Sequence, residues 1–232
     1  MGATTDKLNS KIVKEYGSNA GATMVGIADA GDFDSAPDDF KPSDSLENCR
    51  SVIVFAAPFP KESLQKTSVE YTDTRNDMYK RMDNIAKEVA KQITRAGHKA
   101  KAIGGIGGKK WIDGTNHGHI SLKHAAELAG LGVIGKNYLL INPEYGTRLW
   151  FSAVLTDAEL TPDEKARYSF CDDCNICVEM CPAKALDDIN SFGKKACART
   201  CFKMVDKKWM LVCFSCRKVC PYSFGEEKDQ TS

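Results

Sequence analysis

The stretch that decides the organisation of this 232-residue chain is CDDCNICVEMCP, residues 171–182, in which four cysteines stand within eleven residues. The chain has ten cysteines, and all except Cys49 lie between Cys171 and Cys220. Exported miniproteins spread their cysteines along the chain to staple loops, and the N-terminus, MGATTDKLNS, has no apolar signal core. A dense cysteine cluster in such a chain predicts a metal centre.

The spacing of this run, C-x2-C-x2-C-x3-C-P, is that of the bacterial ferredoxin run. Three thiolates on one tight loop can reach three irons of a [4Fe-4S] cubane, while the fourth, Cys181, points away to serve a second cluster. Zinc is the competing metal, but its usual ligands are two separated pairs of residues. The spacing therefore favours iron–sulfur clusters over zinc.

A second run, C-x2-C-x3-C-P at residues 213–221, is the later part of the same pattern with one ligand missing, because Met210 stands where a duplicate would have its first cysteine. The missing thiolate has to come from Cys197 or Cys201, which share one helical face. In the ferredoxin manner the two runs exchange one ligand each. The first cluster then takes Cys171, Cys174, Cys177 and Cys220, and the second takes Cys181, Cys213, Cys216 and either Cys197 or Cys201.

Strand and helix signals alternate over the first two-thirds of the chain. The apolar run 51–57 predicts a strand buried on both faces, and the stripe from Met78 to Ile93 predicts a helix. Strands are predicted at 22–28, 51–57, 99–103, 138–141 and 148–156, and helices at 6–16, around 78–93 and at 122–129 after the cap Ser121. We expect a layered α/β domain over residues 1–165 and a cysteine domain over 166–232, with the boundary near Thr161-Pro162.

Composition limits the function classes. Lysine and arginine number 32 against 31 acidic residues, which gives nucleic acid no electrostatic advantage as the main partner. The longest apolar stretch, Val52–Ala57, is too short to span a bilayer. We therefore expect a cytoplasmic protein that does not enter a membrane.

A glycine motif, GLGVIG at residues 130–135, matches G-x-G-x-x-G. A dinucleotide site needs a strand before this motif and a helix after it, whereas here a predicted helix precedes it and a strand-like segment follows. We do not expect it to bind NAD.

The longer stretch AGLGVIGKNYLLI, residues 129–141, is similar to the AGLG-x-IGKN-x-LLI segment of epoxyqueuosine reductases and reductive dehalogenases. NPEYGTR at 142–148 and VLTDAEL at 154–160 continue the resemblance, as does the order of the cysteines, and it spans roughly residues 5–225. In that family the lone cysteine lies well ahead of the second run, which favours Cys197 over Cys201.

The resemblance implies an α+β nitroreductase-like platform with a C-terminal bacterial-ferredoxin-like domain that holds two [4Fe-4S] clusters. It implies an enzyme that passes single electrons from a low-potential donor of the ferredoxin or flavodoxin type to a base-off cobamide, which reduces a small-molecule substrate. Gly132, Gly135 and Asn137 are expected near the corrin. Lys136 and Arg148 could bind carboxamides, phosphate or an anionic substrate, although a salt bridge at a helix end would explain either equally well.

The family's catalytic aspartate lies before AGLG, and by that offset His117 takes its place, with Asp113 close by. A histidine can donate a proton near neutral pH, so His117 and Asp113 are the candidate catalytic residues. His119 and His124 are expected to be a turn residue and an exposed helical residue.

Two expectations limit this interpretation. Epoxyqueuosine reductases continue into helical repeats that help hold tRNA, and this sequence ends about ten residues after Cys220-Pro221, so tRNA is not expected as a partner. The alternative function is a ferredoxin-like electron-transfer protein that reduces a partner, such as a corrinoid protein, without substrate chemistry of its own.

Overall fold

A computed structural model describes residues 8–105, 110–112, 115–186 and 192–226 of the chain. Its helices are α1 (Ser10–Asn19), α2 (Pro42–Ser45), α3 (Ser68–Arg95), α4 (Leu122–Leu128), α5 (Ile176–Glu179), α6 (Lys194–Cys201) and α7 (Ser215–Lys218). Its strands are β1 (Met24–Asp29), β2 (Ser51–Pro58), β3 (Ala100–Ile103), β4 (Lys110–Ile112), β5 (Thr115–His117), β6 (Val133–Ile134), β7 (Leu140–Ile141), β8 (Leu149–Thr156), β9 (Phe202–Val205) and β10 (Lys208–Leu211). Short 3-10 helices cover Ala30–Phe33 and Lys61–Gln65.

The central sheet has the order β1-β2-β8-β3, and each neighbouring pair is antiparallel. β2 lies inside the sheet, and every residue from Ser51 to Ala57 is buried, as the continuous apolar run predicts. β8 pairs with β2 over its whole length, from Leu149 opposite Pro58 to Thr156 opposite Ser51. The strands β2 and β8 are therefore the two inner strands of the central sheet.

Helices cover both faces of this sheet. On one face α3 buries Met82, Ile85, Val89 and Ile93 against β2 and β8 in a core that also includes α1. On the other face α4 packs Ala125 and Ala126 against Val52, Val54 and Ala153. This layered arrangement is the mixed α/β fold that the alternating strand and helix signals predict. Each of its sheets is nonetheless built from antiparallel pairs among the described residues.

Several element bounds differ from the sequence-based predictions. α1 begins at Ser10 because the Asn9 side chain accepts a hydrogen bond from the Ile12 N–H. α3 begins ten residues before its apolar stripe, because Thr67 and Glu70 form a capping box there. Residues 138–141 do not form one strand. The two-residue β7 pairs with β6, and the turn 142–146 then leads into β8 of the central sheet.

The cysteine region, residues 171–220, follows a segment that is tied to the sheet. Asp163 accepts a hydrogen bond from the Ile27 N–H at 2.8 Å, and its own N–H donates to the Ile27 carbonyl at 2.8 Å. Beyond it come the four-residue helices α5 and α7, the longer α6, and the β9–β10 hairpin. Within the described ranges, no helix has both the length and the apolar character needed to cross a bilayer.

Candidate functional site

The first cysteine run forms a loop that leads into α5. Cys177 lies in that helix and is buried, and the Cys174 N–H donates to the Cys171 carbonyl at 3.4 Å. Burial raises the pKa of the Cys177 thiol, and the thiols of Cys171 and Cys174 raise it further. The three thiols are therefore close enough to interact.

Cys220, from the end of the second run, lies against this same group. Burial raises the pKa of its thiol to about 11. The three thiols of the first run add to that rise, namely Cys171, Cys177 and Cys174. The fold thus brings Cys220 close to the thiols of the first run, and its place in the first ligand set stays a prediction.

A second group of thiols gathers around Cys216 in α7. Burial raises the pKa of Cys216 to about 11, and Cys197 and Cys213 are among the thiols that add to the rise. Cys181 packs in one small cluster with Cys197 and Cys216, and Cys177 of the first run belongs to the same cluster. Among the described residues, no three Cys, His, Asp or Glu side chains are close enough together to hold a single metal ion.

Cys197 and Cys201 lie side by side on α6. Their thiols share a hydrogen bond that lowers the pKa of Cys197 and raises that of Cys201. Cys201 is buried and interacts with Cys213, whereas Cys197 interacts with Cys216 and contacts the cluster around Cys181. Both cysteines are near the second group, and the ligand sets themselves stay predictions.

The glycine motif packs against the cysteine region. A Cβ placed on Gly135 would lie 2.6 Å from Cδ1 of Ile141 and 3.2 Å from Sγ of Cys171. Gly132, whose φ is +157°, would place a Cβ 2.3 Å from the Ile141 carbonyl oxygen. Close approach to β7 and to a cysteine accounts for both glycines, and the motif follows α4 and leads into β6, the reverse of a dinucleotide site.

The next two residues of the motif reach across to the same region. Lys136 Nζ donates to the Asp172 carbonyl at 3.3 Å and to Asn175 Oδ1 at 3.0 Å. Asn137 is buried, and its Nδ2 donates to the Cys216 carbonyl at 3.4 Å. Residues 135–137, which we term the joint segment, therefore hold the sheet domain and both cysteine groups together. Gly135 and Lys136 also line a cavity of about 580 Å³ that includes Cys171.

Arg148 lies inside the protein. It is 5% exposed, and its Nη1 donates to the Phe59 carbonyl at 2.7 Å. These contacts account for Arg148 as part of the fold, and the expected role of the residue in binding a cofactor stays a prediction.

A cavity of about 230 Å³ lies where α4, β8 and α7 meet, and we term it the inner cavity. Its walls are mostly apolar, with Lys123, Thr147 and Arg217 as the polar groups. The apolar walls are formed by Leu122, Leu139, Leu140, Leu149, Trp150 and Phe151, beside Gly105. Because Arg217 follows Cys216 directly, the inner cavity adjoins the second group of thiols.

The polar groups of the inner cavity have unusual surroundings. Burial, followed by the charge of Arg217, lowers the pKa of Lys123 to about 8, and Lys123 donates to the Tyr138 carbonyl. Arg217 Nη1 donates to the Thr147 carbonyl. The Thr147 hydroxyl is buried and has no hydrogen-bond partner among the described residues. A buried hydroxyl without a partner costs roughly 1–3 kcal/mol, so a polar ligand group that displaced the atoms covering this hydroxyl would relieve that cost.

The sequence did not single out these residues as cofactor contacts. Thr147 lies within the NPEYGTR match, so its position carried a signal. The only sequence signal for Arg217 is that it is one of the basic residues in the second cysteine run.

The candidate proton donor lies elsewhere. His117, at the end of β5, lines a cavity of about 510 Å³ that we term the histidine cavity, and its ring lies 5.7 Å from that of Phe40. His124 and Lys194 also line it, and His124 Nδ1 lies 2.6 Å from the Ser121 hydroxyl. Among the residues that the structure describes, none lines both the histidine cavity and the inner cavity. Asp113 lies outside the described residues.

No family model matches the chain. An epoxyqueuosine reductase from Listeria monocytogenes is 34% identical over 120 residues, which is 47% of this chain and 31% of that protein. A tetrachloroethene reductive dehalogenase from Desulfitobacterium hafniense is 33% identical over 141 residues, which is 59% of this chain and 23% of that protein. The chain thus spans about a third of the first relative and less than a quarter of the second.

Solved structures show the same fold. An epoxyqueuosine reductase from Streptococcus thermophilus has a TM-score of 0.65 at 22% identity, covering 93% of this chain and 66% of that one. A reductive dehalogenase with a suggested mechanism of B12-dependent dehalogenation has a TM-score of 0.58 at 24% identity, covering 75% and 24%. An epoxyqueuosine reductase bound to a tRNA stem loop has a TM-score of 0.62 at 19% identity, covering 92% and 64%.

The last of these structures removes support for the expectation that tRNA is not a partner. The relatives are oxidoreductases, and the resemblance predicted from AGLGVIGKN and its surroundings is confirmed. This chain therefore has the mixed α/β fold of epoxyqueuosine reductases and reductive dehalogenases and resembles those reductases in sequence.

Proposed function

We propose that this protein is an iron–sulfur reductase that uses two [4Fe-4S] clusters and a base-off cobamide to reduce a small molecule. Residues 166–232 form the ferredoxin-like domain, and residues 1–165 form the cobamide- and substrate-binding domain. The clusters and the cobamide, when bound, supply the single-electron chemistry.

The observation that carries this proposal is the return of Cys220 to the first cysteine run. In a two-cluster ferredoxin each run gives its last cysteine to the other cluster. The grouping of Cys220 with the first run is compatible with that exchange, and so is the packing of Cys181, together with Cys177, against Cys197 and Cys216. It supports the ligand set Cys171, Cys174, Cys177 and Cys220 for one cluster, and Cys181, Cys197, Cys213 and Cys216 for the other.

The inner cavity supports the cobamide. Its leucine and tryptophan walls suit a flat apolar ring, and the partnerless Thr147 hydroxyl, with Lys123 and Arg217, suits carboxamide groups. At about 230 Å³ the cavity holds only part of so large a cofactor, which then has to extend past its rim. We assign Thr147, Lys123 and Arg217 to hold the cofactor's polar edge, and Leu149 and Trp150 to exclude water.

The joint segment and Gly132 have a different role in the proposal. They set the position of the cysteine region against the sheet domain, and cofactor binding depends on that position. The residues are Gly132, Gly135, Lys136 and Asn137. His117, with Asp113 as the second candidate, holds the proton for the substrate. Electron donors of the ferredoxin or flavodoxin type and a small-molecule substrate are the proposed partners.

Anaerobic titration of the reconstituted protein with cob(II)alamin tests the proposal. We expect a base-off, five-coordinate or water-ligated spectrum, because none of the four histidines lies in the D-x-H-x-x-G setting of proteins that place a histidine below the cobalt. Absence of binding at about 100 µM, an affinity of only ~5.5 kcal/mol, would favour the alternative of a ferredoxin-like carrier that reduces a partner.

The same titration tests the assignment of the inner cavity. Thr147→Val removes the hydroxyl at nearly constant volume and should weaken cob(II)alamin binding by about 2–13-fold, the worth of one hydrogen bond. Ser152→Ala is the matched control, because Ser152 is also a buried hydroxyl without a partner among the described residues, but it does not line the inner cavity. Equal affinities of the two variants for cob(II)alamin would show that the Thr147 hydroxyl does not contact the cofactor.

His117→Ala should leave cob(II)alamin affinity within about twofold and slow substrate reduction by about 10²–10⁴-fold. The probes are tetrachloroethene and an epoxyqueuosine-modified tRNA stem loop, with titanium(III) citrate as reductant. Unchanged turnover would move the proposed role to Asp113.

A further inference from the structure

The β9–β10 hairpin exposes apolar side chains at its outer end. Trp209 is 63% exposed and Met204, opposite it in the register, is 55% exposed. Val205, next to the turn, is 45% exposed. Asp206 and Lys207 form that turn with φ values of +47° and +62°. Trp209 and Met204 share one face of the hairpin and Val205 lies on the other, so its outer end has a small apolar patch that the fold itself does not bury.

Exposed lysines lie at the same end of the hairpin. Lys207 is in the turn, and Lys203 and Lys208 are on the same face as Val205. From Lys194 to Lys218 the sequence has eight basic residues and one acidic residue, Asp206, which is a formal charge of +7. Residues 171–190 have the opposite balance, with five acidic residues against one lysine. The positive field is therefore confined to the second half of the cysteine region.

The base of the hairpin is formed by cysteines of the second group. Cys201 ends α6 directly before β9, and its carbonyl accepts a hydrogen bond from the Val212 N–H at 2.7 Å, next to Cys213. The hairpin is also fixed to α3, where Thr72 Oγ1 accepts from the Leu211 N–H at 3.0 Å. The Arg75 guanidinium lies 5.2 Å from the Phe202 ring centre. The patch is thus held in place beside the second thiol group.

We propose that the outer end of the β9–β10 hairpin is the docking surface for an acidic one-electron carrier protein of the ferredoxin or flavodoxin type. Trp209 and Met204 lie on one face of this end, Lys203 and Lys208 lie on the other face, and Lys207 lies in the turn. This inference rests on the proposed function. A small apolar contact beside charged residues is typical of weak electron-transfer interfaces, which bury less than about 1,200 Å². The three exposed lysines, against Asp206 alone, select an acidic partner and speed the encounter.

RNA is the competing occupant of a basic surface. Single-stranded RNA is bound by bases stacking on several aromatic rings along a basic groove. The hairpin offers one exposed ring, Trp209, and its other exposed apolar side chains, Met204 and Val205, are aliphatic. An acidic protein with an apolar patch of its own matches these exposed side chains better than RNA does.

The electron balance of each encounter is simple. The reduced carrier gives up one electron, the cysteine region receives one electron, and no proton or covalent group is transferred. Two encounters supply the two electrons of one substrate reduction. The carrier is the only reductant that the step needs.

Binding of the holoprotein to an acidic flavodoxin, and separately to a two-cluster ferredoxin, tests the proposal by biolayer interferometry. We expect micromolar affinity at about 20 mM salt that weakens at about 300 mM. The triple variant Lys203→Glu, Lys207→Glu, Lys208→Glu should weaken binding at low salt by at least about tenfold. Trp209→Ala should weaken binding at both salt concentrations.

The matched control is the triple variant Lys11→Glu, Lys61→Glu, Lys87→Glu, which makes the same charge change on exposed lysines of the sheet domain. Equal weakening in both triple variants would overturn the hairpin as the docking surface, and so would absence of wild-type binding to both carriers. If the hairpin triple variant lost binding to an unmodified tRNA stem loop while it bound the carriers as tightly as the wild type does, the surface would be assigned to RNA instead.

A second readout separates this inference from the proposed function. With dithionite as reductant the hairpin triple variant should reduce bound cob(II)alamin as fast as the wild type, while reduction by flavodoxin hydroquinone should slow by at least about tenfold. Equal rates with flavodoxin hydroquinone would contradict the docking surface. Carrier binding that depends on the hairpin, in a protein that binds no cobalamin, would support the docking surface and refute the proposed function.

Discussion

The sheet domain and the cysteine region are stabilised in different ways. In the sheet domain β2 is buried over Ser51–Ala57, and the 28-residue α3 packs its apolar stripe against it. In the cysteine region the principal buried cluster consists of Cys177, Cys181, Ala185 and Leu186, and the helices α5 and α7 have only four residues each.

Apolar burial of its own accounts for the fold of the sheet domain but not for that of the cysteine region. The core that this region forms by itself is too small to offset the chain entropy of some fifty residues, which costs roughly 1–2 kcal/mol per residue, although Leu211 and Phe214 also pack against the core of the sheet domain. Two of its four buried side chains are thiols that metal binding would use. We therefore expect the sheet domain to fold without metal, and the cysteine region to depend on the proposed clusters as other small metal domains depend on their metals.

The largest expected effect is that of removing the iron. Chelation under anaerobic conditions should unfold residues 171–220 and leave α3 and β8 protected from hydrogen exchange. The reason is that the cysteine region, unlike the sheet domain, has little apolar core of its own. Hydrogen exchange with mass spectrometry measures this peptide by peptide. Equal loss of protection in both regions, or no loss in either, would show that the two regions do not differ in their dependence on metal.

Exchanging a single ligand should have a smaller effect within the cysteine region. Cys197→Ser should lower the iron content or shift the electron paramagnetic resonance signal of one cluster, since Cys197 contacts the group around Cys181 and Cys216. Cys201→Ser is the matched control, one helical turn away, and should be close to silent. The reverse result would assign Cys201 as the eighth ligand.

The smallest expected effect is at the joint between the two regions. Gly135→Ala places a methyl group 2.6 Å from Ile141 and 3.2 Å from Cys171 Sγ, and overpacking of this kind costs about 1–3 kcal/mol. We expect a lower thermal midpoint for the cysteine region with little change in the sheet domain. Gly31→Ala is the control, because its added Cβ meets only the end of the Asp29 side chain, at 3.1 Å. A larger change in the sheet domain would show that the two regions do not unfold separately.

The sheet domain was predictable where burial alone determines structure. The run 51–57 and the stripe from Met78 to Ile93 are so apolar that a buried strand and a packed helix follow from them. The partner of β7 was not predictable, because two residues carry no periodicity and pairing with β6 depends on the close approach at Gly132. The start of α3 at the Thr67–Glu70 capping box could have been found from the sequence.

Within the candidate site, the sequence predicted only that the two cysteine runs come together, because their spacing matches the ferredoxin pattern. The inner cavity joins Lys123, Thr147 and Arg217, which are far apart in sequence, so only tertiary packing brings them together. The glycines of the motif were expected beside a corrin, whereas the structure places Gly135 against Cys171. Both uses require close backbone approach, so sequence alone could not distinguish them.

The iron and acid-labile sulfide content of anaerobically reconstituted protein, combined with native mass spectrometry, tests whether the cysteine region is built around two four-iron clusters. Two such clusters require about eight iron and eight sulfide per chain, falling by about half in a Cys174→Ser variant. Stoichiometric zinc without sulfide would contradict the proposed clusters.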